Sequence, residues 1–124
     1  MRKENRLASE AEFRRVRQEG RSWSHPLLVL HARRTGTPLV KVGITVSKRY
    51  GGAVQRNRFR RRVRELLRAR LDDLRPGWDV VVVARPAAAK ATSLELASAL
   101  EHLTERAHLT RMIESTPPLH PPAE

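Results

Sequence analysis

Residues 41–68 read KVGITVSKRYGGAVQRNRFRRRVRELLR and carry the patterns of a strand, a basic turn and a helix. In the first part, Val42, Ile44 and Val46 alternate with small or polar residues, a period of two that is typical of a strand. After the paired glycines, apolar residues recur every three or four positions, which predicts a helix with one apolar face. That face consists of Phe59, Val63, Leu66, Leu67, Leu71 and Leu74.

The predicted helix is rich in arginine: eight lie between residues 56 and 70, with Glu65 as the only acid in that span. Like charges this close repel one another within a helix, so a polyanion is the simplest source of counter-charge. We therefore predict a surface that binds RNA or DNA; a solvated basic face is the alternative. At about 100° per residue, Arg58, Arg61, Arg64 and Arg68 point away from the apolar face, and Arg60 and Arg62 flank it.

The composition also favours a nucleic-acid partner. The 124 residues include 25 Lys and Arg against 13 Asp and Glu, a formal charge of +12 that suits nucleic acid or an anionic membrane surface. No apolar run approaches the roughly 20 residues that span a bilayer, so we expect no membrane association. The charged opening residues predict that there is no secretion signal, and the lack of cysteine fits a reducing compartment. We therefore expect a cytoplasmic protein.

Capping boxes predict where two further helices begin. Ser9 and Glu12 open the first, which should end near Gly20, and Thr92 and Glu95 open the last. Apolar runs predict strands at residues 26–32, 39–47 and 78–84, with room for a short strand at 21–24. Turn residues at 35–38 predict that the first two of these strands form a hairpin. The β-branched run at 78–84 predicts a strand covered on both faces.

The predicted order is helix, strand, strand, helix, strand, helix. This order indicates an α/β fold of the α+β kind, built as a two-layer sandwich whose core lies between two helices and the sheet. We expect a single RNA-binding domain over residues 1–114. Residues 115–124 are rich in proline, and we expect this tail to be disordered.

Side chains that could catalyse a reaction are not grouped in the sequence. Asp72 and Asp73 are adjacent and point to different sides of a helix, and the five histidines are scattered. A nuclease that acts alone needs paired carboxylates for magnesium or paired histidines. We therefore predict no catalytic residue and no metal bound by the protein.

The turn before the arginine helix carries two adjacent cations. Lys48 and Arg49 precede Gly51 and Gly52, and free N–H groups of the helix start should follow. Together these groups would bind a phosphate. A plain flexible turn fits the same residues equally well.

Two runs carry a family resemblance: residues 42–49 read VGITVSKR, and residues 52–65 read GAVQRNRFRRRVRE. With these runs the chain resembles the bacterial ribonuclease P protein component over residues 3–110. The resemblance implies a fold like the second domain of a small-subunit ribosomal protein, with a left-handed βαβ crossover through the arginine helix. It also implies the function: the protein joins a large catalytic RNA, and the complex removes the 5′ leader of precursor tRNA by hydrolysis.

The resemblance extends to partners and cofactors. The catalytic RNA and precursor tRNA are the expected partners, with no membrane and no obligate protein partner. In the family, magnesium ions bound chiefly by the RNA perform the chemistry. No cofactor is therefore expected to bind tightly to the protein, although magnesium is required by the RNA.

The resemblance also assigns roles by position. Residues that match the family's RNA-binding helix are Arg56, Asn57, Arg58, Arg60, Arg61 and Arg64, to which the helix pattern adds Arg62 and Arg68. Lys48 and Arg49 match its basic turn. Residues expected to line a cleft for the leader are Phe13, Arg17, His31, Lys41, Thr45 and Ser47. Family members often carry aromatic side chains at positions 17 and 31, so base stacking there should be weaker.

Two other functions fit the same charge. A structural protein of the ribosome would share the size, the basic charge and the fold, and it would travel with ribosomal subunits. A DNA-binding module would place the arginine helix in a major groove, but Asn57 is the only obvious base-reading side chain on that helix. The long motif favours the ribonuclease P protein.

Overall fold

The computed structural model describes residues 3–109, and these form a four-stranded sheet with three α-helices. The helices are α1 (Glu10–Glu19), α2 (Ala53–Arg70) and α3 (Ser93–Arg106). The strands are β1 (Arg21–Ser24), β2 (Leu28–Arg34), β3 (Val40–Thr45) and β4 (Trp78–Ala84). The predicted domain boundary at residue 114 and the proline-rich tail lie outside the described residues.

Both predicted capping boxes are confirmed. At the start of α1, Ser9 Oγ accepts a hydrogen bond from the Glu12 N–H (3.2 Å), and Glu12 Oε1 accepts one from the Ser9 N–H (3.2 Å). Thr92 and Glu95 make the equivalent pair at the start of α3, at 3.1 and 2.9 Å. Each box satisfies N–H groups that have no partner inside the helix, so local sequence alone sets these helix starts.

The order of the strands in the sheet is β1-β2-β4-β3. β1 and β2 form an antiparallel hairpin, β2 also pairs antiparallel with β4, and β3 pairs parallel with β4. The short strand allowed for at residues 21–24 is thus confirmed as β1. The predicted hairpin between residues 26–32 and 39–47 is wrong, because β4 lies between these two strands.

The connection from β2 to β3 crosses the start of β4. The Thr35 N–H donates to the Gly77 carbonyl (2.8 Å), and the Gly77 N–H donates to the Leu39 carbonyl (3.0 Å). β3 then continues through α2 into β4, a helical crossover between adjacent parallel strands. The left-handed sense expected for this crossover stays a prediction.

The main core lies between the sheet and helices α2 and α3, as predicted. Its fully buried large side chains include Phe59, Val63, Leu67, Leu96, Leu100, Leu103, Leu28, Leu30 and Val82. A smaller cluster of Leu7, Val16 and Val81 lies on the opposite face, beneath α1. Val80, Val81 and Val82 are all buried, which confirms that β4 is covered on both faces. α1 thus adds a partial third layer to the predicted sandwich.

Candidate nucleic-acid interface

The surface of α2 presents a row of arginines to solvent. Phe59, Val63 and Leu67 face the core, so the residues on the opposite side of the helix are exposed. The exposed polar members of the predicted RNA-binding set are Asn57, Arg58, Arg61 and Arg68. Arg56, Arg60, Arg62 and Arg64 are half-buried along the flanks.

Most of this charge is not neutralised within the protein. Glu65 pairs with Arg68 at 2.6 Å, and Arg70 lies 3.8 Å from Glu101. Among residues 3–109, no carboxylate forms an ion pair with Arg58, Arg61 or Arg64. A polyanion could therefore approach this face without displacing an existing partner.

Arg62 differs from its neighbours on α2 because its guanidinium forms hydrogen bonds within the protein. Its Nη2 donates to the Ala91 carbonyl (2.9 Å), and its Nε donates to Ser93 Oγ (3.1 Å). Both acceptors lie at the start of α3, so Arg62 fastens α2 to α3. Binding of RNA by Arg62 stays a prediction, and any such contact would compete with these two hydrogen bonds.

The basic turn lies directly before α2. Lys48 and Arg49 occupy a short 3₁₀ segment, Lys48–Tyr50, and both side chains are exposed. Tyr50 anchors the segment: its ring lies 5.2 Å from that of Phe59, and its hydroxyl donates to the Ala88 carbonyl at 3.4 Å. At the start of α2 the Gly52 N–H already donates to Gln55 Oε1 (2.8 Å), so this group is not free for a phosphate.

α1 lies across the face of the sheet that α2 and α3 leave open, and it forms the wall of the predicted cleft. Phe13 of α1 packs over Gly43 of β3, where a Cβ atom would lie 2.5 Å from the Phe13 ring. Glycine at position 43 therefore allows the ring to approach the strand. Lys41 and Thr45 share this face of β3 with Gly43, since alternate residues of a strand point the same way. Lys41 and Thr45 therefore lie on the face of β3 that α1 covers, and their role in binding a leader stays a prediction.

Ser47 lies outside the strand that forms this floor. β3 ends at Thr45, and Ser47 is an exposed residue directly before the basic turn. It therefore lies at the start of the basic turn, next to Lys48. The expected place of Ser47 in the leader cleft stays a prediction.

Arg17 of α1 lies near enough to His31 of β2 to influence its charge. His31 is half-buried, and its burial together with the nearby Arg17 charge lowers the pKa of its imidazole. Both effects favour the neutral form of the His31 imidazole. Neither Arg17 nor His31 supplies a large aromatic face for stacking a base, in line with the weaker stacking expected there.

One end of the cleft holds a charge network that sequence reasoning missed. Lys41 Nζ lies 3.8 Å from Glu12 Oε2, and Arg33 lies 3.0 Å from Glu19 and 3.9 Å from Asp79. Burial raises the pKa of Asp79, although Lys41 and Arg33 oppose this shift. The charge of Lys41 is thus partly met by carboxylates within the protein. The pairing depends on which strands are neighbours, and no local pattern carries this information.

Two further observations concern metal ions and membranes. Among residues 3–109, no group of three or more His, Asp or Glu side chains is placed to hold a metal ion. None of the described helices is long and apolar enough to cross a bilayer. What the described residues offer is a basic surface joined to a cleft.

Comparisons with known proteins agree with one another. The family model for Ribonuclease P matches residues 1–108. The ribonuclease P protein component of Herpetosiphon aurantiacus is 44% identical over 109 residues, covering 88% of this chain and 89% of the relative. That of Roseiflexus castenholzii is 39% identical over 119 residues, covering 95% and 98%. The solved structure of the RNase P protein of Staphylococcus aureus has a TM-score of 0.80 at 29% identity, covering 86% of this chain and 97% of that chain.

Proposed function

Because this chain belongs to the bacterial ribonuclease P protein family, we propose that its arginine helix and its cleft bind the RNAs of that enzyme. The chain is a subunit of ribonuclease P, the ribonucleoprotein endoribonuclease that processes the 5′ ends of tRNA. Two surfaces carry the proposed contacts, the exposed face of α2 and the cleft beneath α1. The family match favours this function over a structural protein of the ribosome and over a DNA-binding module.

The observation that carries the proposal is the row of arginines on α2 without acidic partners. Arg58 and Arg61 are exposed, and no carboxylate among the described residues pairs with them. Arginine binds phosphate through several N–H donors in a fixed planar geometry, so each such side chain can hold one backbone phosphate of an RNA. We assign this face, together with Lys48 and Arg49, to the catalytic RNA.

The cleft beneath α1 is assigned to the precursor tRNA leader. It combines one aromatic side chain, Phe13, with polar strand residues such as Thr45 and with the Arg17 cation, a mixture that suits an unpaired RNA strand.

Magnesium ions bound by the RNA supply the hydrolytic chemistry in this proposal, so no residue of the chain is given a catalytic role. The site of action is the cytoplasm, and residues 1–114 form one RNA-binding domain.

Reconstitution at low magnesium tests the proposal. The full chain is mixed with the catalytic RNA from the same cell, and removal of the 5′ leader is scored against the RNA alone. We expect the protein to raise cleavage several-fold, because its cations offset repulsion between the two RNAs that magnesium would otherwise screen.

The test variant is R58A/R61A, and R21A is a control that removes one arginine elsewhere on the surface. Arg21 lies on β1, at the edge of the sheet opposite β3 and α2, so its loss removes charge away from the proposed face. The double variant should bind the catalytic RNA more weakly and stimulate cleavage less, while R21A should behave almost as the unaltered chain. If the unaltered protein binds this RNA no better than bulk ribosomal RNA and leaves cleavage unchanged, the proposal fails.

A further inference from the structure

The outer face of α3 carries a charge opposite to that of α2. Its exposed side chains include three carboxylates, Glu95, Glu101 and Glu105, against one cation, Arg106. The whole chain has 25 Lys and Arg against 13 Asp and Glu, so α3 departs from the composition of the protein around it. Because α2 and α3 lie side by side over one face of the sheet, the sign of the surface charge changes from one helix to the next.

α3 also engages the arginines of α2 that reach toward it. Arg70 Nη2 lies 3.8 Å from Glu101 Oε1, and Arg62 donates two hydrogen bonds to the start of α3. Arg58 and Arg61, by contrast, have no carboxylate partner among residues 3–109. The flank of α2 that faces α3 therefore offers less free positive charge to an RNA than the outer face of α2.

The stability of α3 gives no reason for a carboxylate at position 105. Glu105 lies in the last turn of the helix, where the helix dipole favours cations and opposes carboxylates. Its neighbour Arg106 has the favourable sign, and it also donates to the Ser24 carbonyl (3.1 Å), which holds α3 against β1. Glu105 is exposed, so it fills no space in the core. Its effect is on what can approach the surface.

We propose that Glu101 and Glu105 determine which RNAs this subunit binds, by repelling RNA that lies across α2 and α3 together. The inference rests on the proposed function and adds specificity to it. Packed helices lie roughly 8–10 Å apart, and charges act over about 8 Å at physiological salt, so phosphates on α2 that extend toward α3 come within reach of these carboxylates. An RNA that fits α2 and leaves α3 uncovered avoids the repulsion, whereas an unrelated RNA meets it in many of its orientations.

The test reverses one charge in the full chain, as E105K. Dissociation constants are measured for the catalytic RNA from the same cell and for bulk ribosomal RNA, over a series of salt concentrations. E105K should bind bulk ribosomal RNA several-fold more tightly, and its slope of log K against log salt should steepen by roughly 0.7–0.9, the value for one added phosphate contact. The affinity for the catalytic RNA should change far less, so the preference for the catalytic RNA falls.

E10K is the matched control, because it makes the same change of charge elsewhere. Glu10 is exposed at the start of α1, which covers the opposite face of the sheet. E10K measures the effect of net charge alone, and it should strengthen binding of bulk ribosomal RNA less than E105K does.

S98E tests the proposal in the opposite direction. Ser98 is exposed on the outer face of α3, one turn before Glu101 and two turns before Glu105. S98E should weaken binding of bulk ribosomal RNA and leave binding of the catalytic RNA almost unchanged. Thermal unfolding checks the fold of both α3 variants, and E105K should unfold no earlier than the unaltered chain, because lysine suits the last turn of a helix.

Two results would overturn the proposal. One is an equal gain of affinity for bulk ribosomal RNA in E105K and E10K, which would show that only net charge matters. The other is a gain for the catalytic RNA in E105K as large as that for bulk ribosomal RNA, which would place α3 inside the interface.

Failure of this inference can be told from failure of the proposed function. If only the inference is wrong, the unaltered protein still stimulates leader removal at low magnesium, and E105K keeps the same preference between the two RNAs. If the proposed function is wrong, stimulation is absent and the unaltered protein shows no preference for the catalytic RNA.

Discussion

Arg61 and Arg62 are neighbours in the chain with opposite surroundings. Arg61 is exposed and has no acidic partner among the described residues, whereas Arg62 donates to Ala91 and Ser93. We expect R62A to lower the free energy of unfolding by about 1–2 kcal/mol, because two hydrogen bonds from a charged donor are lost and an acceptor is left unpaired. Denaturant unfolding followed by circular dichroism would measure this change.

R61A is the matched control for R62A. It removes the same side chain from an exposed position, so its effect on the free energy of unfolding should stay within about 0.5 kcal/mol. Equal stabilities of the two variants would show that the contacts of Arg62 with the start of α3 contribute nothing.

His31 gives the fold a dependence on pH. Burial first, and then Arg17, lower the pKa of His31 below its ordinary value of 6.5, so the unfolded chain takes up a proton more readily than the folded chain. The free energy of unfolding should therefore be highest above that ordinary value and should fall as the solution is acidified through it. His25 acts in the same direction, through burial and its neighbour His102.

The prediction is that H31Q loses less stability than the unaltered chain between about pH 7 and about pH 5, the range in which histidine titrates. Chemical unfolding at each pH gives the comparison. H25Q removes the second contribution, and the double variant should have the flattest profile. Parallel curves for all four proteins would rule out these histidines as the source.

At the scale of the element, α2 combines a buried apolar face with an uncompensated basic face. Because Arg58 and Arg61 should each contact a phosphate, R58A and R61A should each weaken binding of the catalytic RNA. Each should also reduce the slope of log K against log salt by roughly 0.7–0.9. Filter binding over a series of salt concentrations measures both quantities, with R21A as the control. A slope that is unchanged in both variants would remove this face of α2 from the interface.

The helices could be predicted from sequence because their signals are local. Ser9 with Glu12 and Thr92 with Glu95 lie within one turn of each other, and the apolar face of α2 repeats along its whole length. The strand partners could not be read in this way. An apolar run indicates that a strand is buried, but it does not name the neighbouring strand.

The error in the predicted hairpin has a physical reason. A strand covered on both faces belongs in the interior of a sheet, and the β-branched run at residues 78–84 is typical of such a strand. It therefore has to separate two other strands, and β2 and β3 are the ones it separates. Contacts that depend on this arrangement, such as Lys41 with Glu12 and Arg33 with Asp79, cannot be predicted until the pairing is known.

For the whole molecule, the formal charge of +12 opposes compaction, because like charges are brought together when the chain folds. We expect sulfate to raise the midpoint of thermal unfolding by more than chloride at equal ionic strength. Chloride mainly screens charge, whereas sulfate can also bind the arginines of α2 in the folded state. Differential scanning calorimetry would measure the shift. R58A/R61A should gain less from sulfate, and identical shifts with the two salts would show that screening alone operates.

The position of β4 also affects the chain while it is being made. β2 and β3 are complete by residue 45, but the strand that joins them begins at Trp78. At roughly 5–20 residues per second, translation leaves both strands without their common neighbour for a few seconds, and the apolar face of α2 has no sheet to cover it. Nascent chains in this state expose unpaired strand edges, which can pair with the strands of another chain. Because the chain is strongly basic, two such nascent chains repel each other even before any RNA is bound. This repulsion would keep the chains apart until β4 is inserted between β2 and β3.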